Sequence, residues 1–173
     1  PATGGALQTI VKAVTTVAAG IVQLSLKSAD GAPLPEFGPG AHIDLHLPNG
    51  LIRQYSLLNA AHGDTLEVAV NLDPNSRGGS ASVHRDLKPG DRIEIQGPRN
   101  HFPLAEDAPH SVLIAGGIGI TPVHAMVHRL AALGRGWTLY HCARAPDRTP
   151  YMTELRALAA RSGGMLVHVH DGV

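Results

Sequence analysis

The sequence predicts a β plus α/β protein: an antiparallel Greek-key barrel followed by part of a parallel α/β domain. Three observations predict it. Between residues 7 and 95, short runs of alternating apolar and polar residues recur between turns rich in Gly, Pro and Asn, the pattern of many short strands. Residues 102–109 are a polar, proline-bounded stretch that reads as a linker. Beyond it, strand and helix patterns alternate, as in the β-α-β units that build a parallel sheet.

In order along the chain, residues 7–14 and 20–26 read as strands, the second alternating after Gly20. Residues 41–47 alternate again, and Pro48-Asn49-Gly50 turns them into residues 51–56. Residues 65–70 and 92–95 add two strands, with a turn at 87–91, and residues 81–87 suit a single helical turn. After the linker, residues 111–115 form an apolar strand of the buried type. A helix over 122–133 is closed by Gly134, and a second strand spans 138–142. A second helix over 151–160 ends near Gly163 and Gly164, and residues 165–170 make a third strand. The expected domains are residues 1–105 and 109–173. Dinucleotide-binding domains of this kind run to about five or six strands, so the second domain reads as incomplete.

Composition narrows the function classes. The 173 residues suffice for one large or two small domains with a core in each. With 43% hydrophobic residues and a formal net charge of zero, nothing points to a polyanion, so nucleic acid is not an expected partner. No apolar run approaches the roughly 20 residues that span a bilayer, and the N-terminus lacks a signal-peptide pattern. The one cysteine, Cys142, leaves no intrachain disulfide framework and no cysteine-held iron–sulfur cluster. A cytoplasmic location is the resulting expectation.

Three segments carry the chemistry. In the first, an apolar strand runs into Gly116-Gly117-Ile118-Gly119-Ile120-Thr121-Pro122. Glycines let a pyrophosphate or a ring approach the backbone, and free N–H groups at a helix start attract phosphate. Thr121 falls where an N-cap belongs and Pro122 at the first helical position. The same residues also suit an ordinary strand-to-helix turn. In the second, Arg53-Gln54-Tyr55-Ser56 ends a barrel strand: a guanidinium pairs with phosphate, an aromatic ring packs on a flat heterocycle, and a hydroxyl donates to a ring nitrogen. Read alone, it is also an exposed Arg and a half-buried Tyr. In the third, Gly78-Gly79-Ser80 follows a polar loop, where successive N–H groups and a hydroxyl suit an anion, or simply a flexible linker.

The glycine loop departs from the ordinary Gly-x-Gly-x-x-Gly fingerprint: Pro122 replaces the third glycine, and Ala143 and Arg144 stand where an acidic residue is expected. Taken together and in this order, Arg-x-Tyr-Ser, Gly-Gly-Ser and Gly-Gly-x-Gly-x-Thr-Pro resemble the ferredoxin-reductase superfamily, in its phthalate dioxygenase reductase and vanillate demethylase reductase branch. Gly40-Ala41-His42-Ile43-Asp44, Pro98-Arg99-Asn100-His101-Phe102-Pro103-Leu104 and Tyr140-His141-Cys142-Ala143-Arg144 extend the resemblance to nearly the whole chain. It implies an FMN barrel held by Arg53, Gln54, Tyr55, Ser56, Gly78, Gly79 and Ser80. The strand Ala69-Val70-Asn71 would run beside the flavin through its backbone. It also implies NADH at Gly116, Gly117, Gly119, Thr121 and Pro122, with hydride transfer to the flavin and no catalytic acid or base.

Relatives in this branch pass electrons through a [2Fe-2S] domain to a Rieske-type dioxygenase or demethylase. The cysteines for that cluster, and the family's Cys-Gly-Pro segment near the nicotinamide, are not in this sequence, so Cys142 reads as a small buried strand residue. The chain is expected to be an NADH-dependent reductase module. The alternatives are an FAD-dependent ferredoxin or flavodoxin reductase and a flavin-binding fragment without catalysis. Arg144 and Arg148 keep NADPH open. His124 and His128 lie one helical turn apart, but the sequence offers no evident third ligand, so no metal is expected. His168 and His170 share a strand face in the same way.

Overall fold

The computed structural model describes residues 5–59 and 63–170, the side chain of His170 excepted. The ends of the two expected domains, residues 1–4 and 171–173, lie outside the described residues, as does the His170 half of the histidine pair on the last strand. Two sheets form, one of six strands and one of three.

The first sheet contains β1 (Leu7–Ala18), β2 (Ile21–Ser28), β3 (Ala41–His46), β4 (Ile52–Ser56), β5 (Leu66–Asn71) and β6 (Arg92–Asn100). Its order is β4-β3-β6-β1-β2-β5, with every pairing antiparallel. The apolar period of two sets the register. Val22, Leu24 and Leu26 of β2 face Val70, Val68 and Leu66 of β5, and Leu45 of β3 faces Ile95 of β6, all buried. The sheet curls until its two edge strands touch through a single bridge, Leu57 to Val68, and Leu58 N–H donates to Glu67 O at 2.8 Å. A short helix, α1 (Gly79–Asp86), follows β5.

The second sheet is parallel, with β7 (His110–Gly116), β8 (Gly136–Ala143) and β9 (Met165–His170) in that order, alternating with α2 (Ile120–Ala132) and α3 (Met152–Ser162). Leu113, Leu139 and Leu166 lie in register on one face, and α2 and α3 cover that face through Val123, Val127, Leu130, Leu155 and Leu158. On the opposite face Ile114, Tyr140 and Val167 lie in register, and Ile114 is 74% exposed. Parallel sheets are ordinarily covered on both faces; this one is covered on one among the described residues. No helix among them is long and apolar enough to cross a membrane.

Several expectations need correction. The helical turn expected at 81–87 is α1, which begins earlier, so Gly79 and Ser80 are its first residues rather than linker. β6 continues beyond 95, through Pro98 to Asn100, because a register irregularity between His42 and Asp44 of β3 accommodates the proline. Helix α2 starts at Ile120, directly after a 3₁₀ turn over Gly117–Gly119, so Thr121 is not its N-cap. Gly119 is already helical, and the Thr121 hydroxyl instead donates back to Ile118 O at 3.2 Å. Pro122 still lies in the first turn, where its missing N–H forfeits no bond.

The two sheets meet across specific contacts. Ala19 N–H donates to Asp147 O at 2.8 Å, and the Tyr151 hydroxyl donates to Gln23 Oε1 at 2.9 Å. His124 Nδ1 lies 2.9 Å from Leu58 O, where only the protonated nitrogen can bond. In the segment that links the two sheets, Glu106 accepts hydrogen bonds from Nε and one terminal nitrogen of Arg129 of α2, at 3.0 and 2.7 Å.

Gly40 opens β3 at φ +91°, and a Cβ there would stand 1.8 Å from Phe102 O. Gly40→Ala is expected to lower stability by more than about 1 kcal/mol, read as a lower urea midpoint; an unchanged midpoint would refute the close approach. The hydrogen bonds from Arg129 hold the Glu106 carboxyl below its ordinary range. A lowered folded-state value stabilises above the unfolded one and is lost as pH falls through the folded value. The stability gap between the wild type and Glu106→Gln is therefore expected to be widest near neutrality and to close below roughly pH 4.

Candidate functional site

The two sheet edges create the site. Beyond the Leu57–Val68 bridge, β4 and β5 run apart, and no ladder joins them among the described residues. The facing edges of Gln54, Tyr55 and Ser56 and of Ala69, Val70 and Asn71 thus border a cleft of about 530 Å³. Backbone groups of the two strand edges border it, and His84 Nε2 donates to Val70 O at 2.9 Å. Asp73 and Ser80 close one end; Ile118, Gly119, Thr121 and Pro122 close the other. The volume lies in the range of cofactor pockets. Burial pushes the Tyr55 phenol up, against a smaller opposing effect of Arg53, so Tyr55 is a neutral ring with one donor.

Arg53, Gly78 and Gly79 do not line this cleft; they meet at the start of α1 beside it. The Arg53 stem lies on the helix start so closely that a Cβ on Gly79 would sit 2.7 Å from Nε. Arg53 is held by its own strand, one terminal nitrogen donating to Ile52 O at 2.8 Å. Asn49 Nδ2 donates to Gly78 O at 3.0 Å, and Ser80 Oγ accepts from Asp73 N–H at 3.1 Å. No side chain caps α1. Its first N–H groups and a guanidinium therefore stand together at one end of the cleft, a place suited to a phosphate.

The second cleft, about 540 Å³, lies beyond the carboxyl ends of the parallel strands, where α/β sheets bind ligands. Gly116, Gly117 and Ile118 form one wall, and Cys142, Ala143, Arg144, Arg148 and Val169 the other. A Cβ on Gly116 or Gly119 would meet no atom within 4 Å, so the loop leaves room for a flat group. The two clefts share Asn71 and Ile118 in their linings and so adjoin, as the two parts of a trough.

Three features of this trough were not evident from sequence. His141 is fully buried and lies 3.3 Å through Nε2 from Gly117 O, tying the loop to β8. Burial pushes its imidazole down, opposed by that bond, so it acts as a neutral donor. Its inward position on β8 was the available signal. Cys142 is exposed and lines the cleft, not the small buried residue expected, because it alternates with His141. Asp73 was seen only as loop.

Away from the trough, the fold supplies the third partner that the His124–His128 pair lacked. Glu154 of α3 places Oε1 3.3 Å from His124 Nε2 and 2.9 Å from His128 Nε2. The neighbouring imidazoles, His124 first and then His128, hold its carboxyl far below the ordinary range.

Residues 113–172 match the oxidoreductase NAD-binding domain family. The chain is 47% identical over 161 residues to tetrachlorobenzoquinone reductase of Sphingobium chlorophenolicum, covering 92% of this chain and 49% of that protein. It is 46% identical over 151 residues to vanillate O-demethylase oxidoreductase of a Pseudomonas species, covering 87% and 48%. The structure of phthalate dioxygenase reductase, described as modular for electron transfer from pyridine nucleotides to [2Fe-2S], superposes with a TM-score of 0.89 at 38% identity, covering 96% of this chain and 53% of that one. The chain spans about half the length of the curated relatives it matches. With the curled antiparallel sheet, the parallel α/β sheet and the trough between them, these matches make the chain similar to the phthalate dioxygenase reductase and vanillate O-demethylase oxidoreductase family over the half of those proteins that it spans.

Proposed function

We propose that the chain is the flavin- and nicotinamide-binding module of an NADH-dependent reductase serving an oxygenase, with FMN as its flavin. The observation that carries this reading is that the two clefts adjoin, with Asn71 and Ile118 in the lining of both. Two flat rings, one along the β4–β5 edges and one over the glycine loop, would meet there. Residues up to about 105 form the flavin unit and residues 109–173 the nucleotide unit. The first cleft would hold the flavin, whose redox chemistry would be that of a hydride acceptor.

The chain's own residues bind and orient. Arg53 and the first N–H groups of α1, at Gly79 and Ser80, pair with the flavin phosphate. Tyr55 would pack against the ring system and the Ser56 hydroxyl would donate to it, with the backbone of Ala69, Val70 and Asn71 alongside. Gly116, Gly117 and Gly119 admit the nicotinamide, with Thr121 and Pro122 at the join. Hydride transfer needs no side chain as acid or base, so orientation and exclusion of water are the protein's contribution. Electron delivery onward, through a [2Fe-2S] group to a Rieske-type aromatic dioxygenase or demethylase in the cytoplasm, belongs to the same reading. The chain's one cysteine cannot hold such a cluster.

A second reading has a specific support: Arg144 and Arg148 border the nucleotide cleft where an acidic residue would select against a 2′-phosphate. Under that reading NADPH replaces NADH.

Anaerobic titration of the FMN-reconstituted chain with NADH is expected to bleach the flavin absorbance. A flavin spectrum that neither NADH nor NADPH changes would leave a binding module without hydride transfer. Bleaching by NADPH alone would select the second reading, and the mass of the released cofactor separates FMN from FAD. Arg53→Ala and Gly79→Ala are each expected to weaken FMN binding roughly 10- to 100-fold, the scale of one charge-assisted hydrogen bond. An unchanged affinity in both would remove the phosphate from this corner.

A further inference from the structure

The His124, His128 and Glu154 cluster lies outside the trough, and its geometry is unusual for an ion pair. His124 is 7% exposed, and its Nδ1–H is committed to Leu58 O at 2.9 Å. In the neutral ring Nε2 is then a lone pair, and it faces the Glu154 carboxylate, which only accepts. The carboxylate oxygen stands 3.3 Å and 2.9 Å from the two Nε2 atoms, but among the described residues neither Nε2 makes a contact with hydrogen-bond geometry. Three potential metal-ligand atoms thus lie within 4.8 Å of one another. Ligands at ~2.05 Å from a tetrahedral Zn²⁺ stand roughly 3.3 Å apart.

We propose that His124 Nε2, His128 Nε2 and Glu154 form a binding site for a divalent transition-metal ion of the zinc class, with water in the fourth position. Two imidazoles and one carboxylate suit Zn²⁺ rather than Mg²⁺ or Ca²⁺, which favour oxygen-only sets. The bond from Nδ1–H to a backbone carbonyl is the support that metal-bound histidines ordinarily have: it fixes the tautomer and aims Nε2. Spacing contributes as well, because residues four apart on α2 share a face, and α3 brings Glu154 across to it. Both Nε2 atoms are buried, and the Glu154 side chain, 47% exposed, is the solvent-facing side of the cluster. The ion would join α2 to α3 and, through His124 and Leu58, both to the barrel. It would hold structure and take no part in hydride transfer.

The test is competition for Zn²⁺ between the tag-free, flavin-loaded chain and a chromophoric chelator, with wild type, Glu154→Gln, His128→Gln and, as a control at an exposed histidine, His101→Gln. One tight Zn²⁺ equivalent per chain is expected, weakened at least tenfold in Glu154→Gln and His128→Gln and unchanged in His101→Gln. The melting temperature of the wild type should rise with Zn²⁺ and not with Mg²⁺, and Glu154→Gln should lose that rise while remaining folded by circular dichroism. Absence of a stoichiometric equivalent, or equal affinity in all four proteins, would overturn the site and leave a histidine–carboxylate ion pair. Flavin bleaching by NADH is a separate readout, so its failure has no bearing on this result.

Discussion

The site depends on how α2 is held against the barrel. The His124 imidazole donates to the carbonyl of Leu58, one residue past the bridge where the barrel edges meet. Tyr151 packs on the same imidazole with ring centroids 4.9 Å apart, and its hydroxyl reaches back to Gln23 of β2. Tyr151 takes φ +66° to do so, a conformation rarely adopted outside glycine. Burial, with the charges of Glu67 and Glu154, pushes its phenol well up, so it remains a donor. These contacts place the turn at Gly117–Gly119 over the opening between β4 and β5.

Backbone, more than side chains, makes up that trough. Two unladdered strand edges, the uncapped start of α1 and a glycine turn supply most of the polar groups. Such groups are fixed by the fold and need little reorganisation when a ligand arrives, which suits chemistry that is mainly positioning. The few side chains involved are positioned by backbone in turn: Arg53 by Ile52 O, Ser80 by Asp73 N–H, and His141 by Gly117 O. The uncovered face of the parallel sheet, with Ile114 and Tyr140 in register, is the other prominent surface, and its apolar character is that of a sheet built for cover on both sides.

Much of this was legible in the residues. Alternation placed the start of each barrel strand within one residue, though β1 and β6 run on past their expected ends, and the expected span of β9, 165–170, matches Met165–His170. Errors arose where a distant partner overrode a local signal. Pro98 suggests a strand end, but the irregularity in β3 lets β6 continue. Thr121 before Pro122 suggests a cap, but the 3₁₀ turn extends the helix past it. Residues 81–87 suggested one turn, whereas the contact of Gly79 with Arg53 shows α1 starting against β4, a pairing from 26 positions away. Cys142 was misplaced because side-chain alternation in a parallel strand depends on which face the helices cover.

By itself the sequence determined the elements, their order, and the three segments that border the trough, because strand and helix periods, turn residues and glycine loops are local properties of the chain. Only the tertiary structure decided which of those segments share a wall, that Arg53 and Gly79 stand beside the cleft rather than in it, and that Glu154 joins His124 and His128. Those outcomes follow from the curl of the first sheet and the packing of α3 on α2, which bring residues far apart in sequence within a few ångströms, and no local pattern encodes such distances.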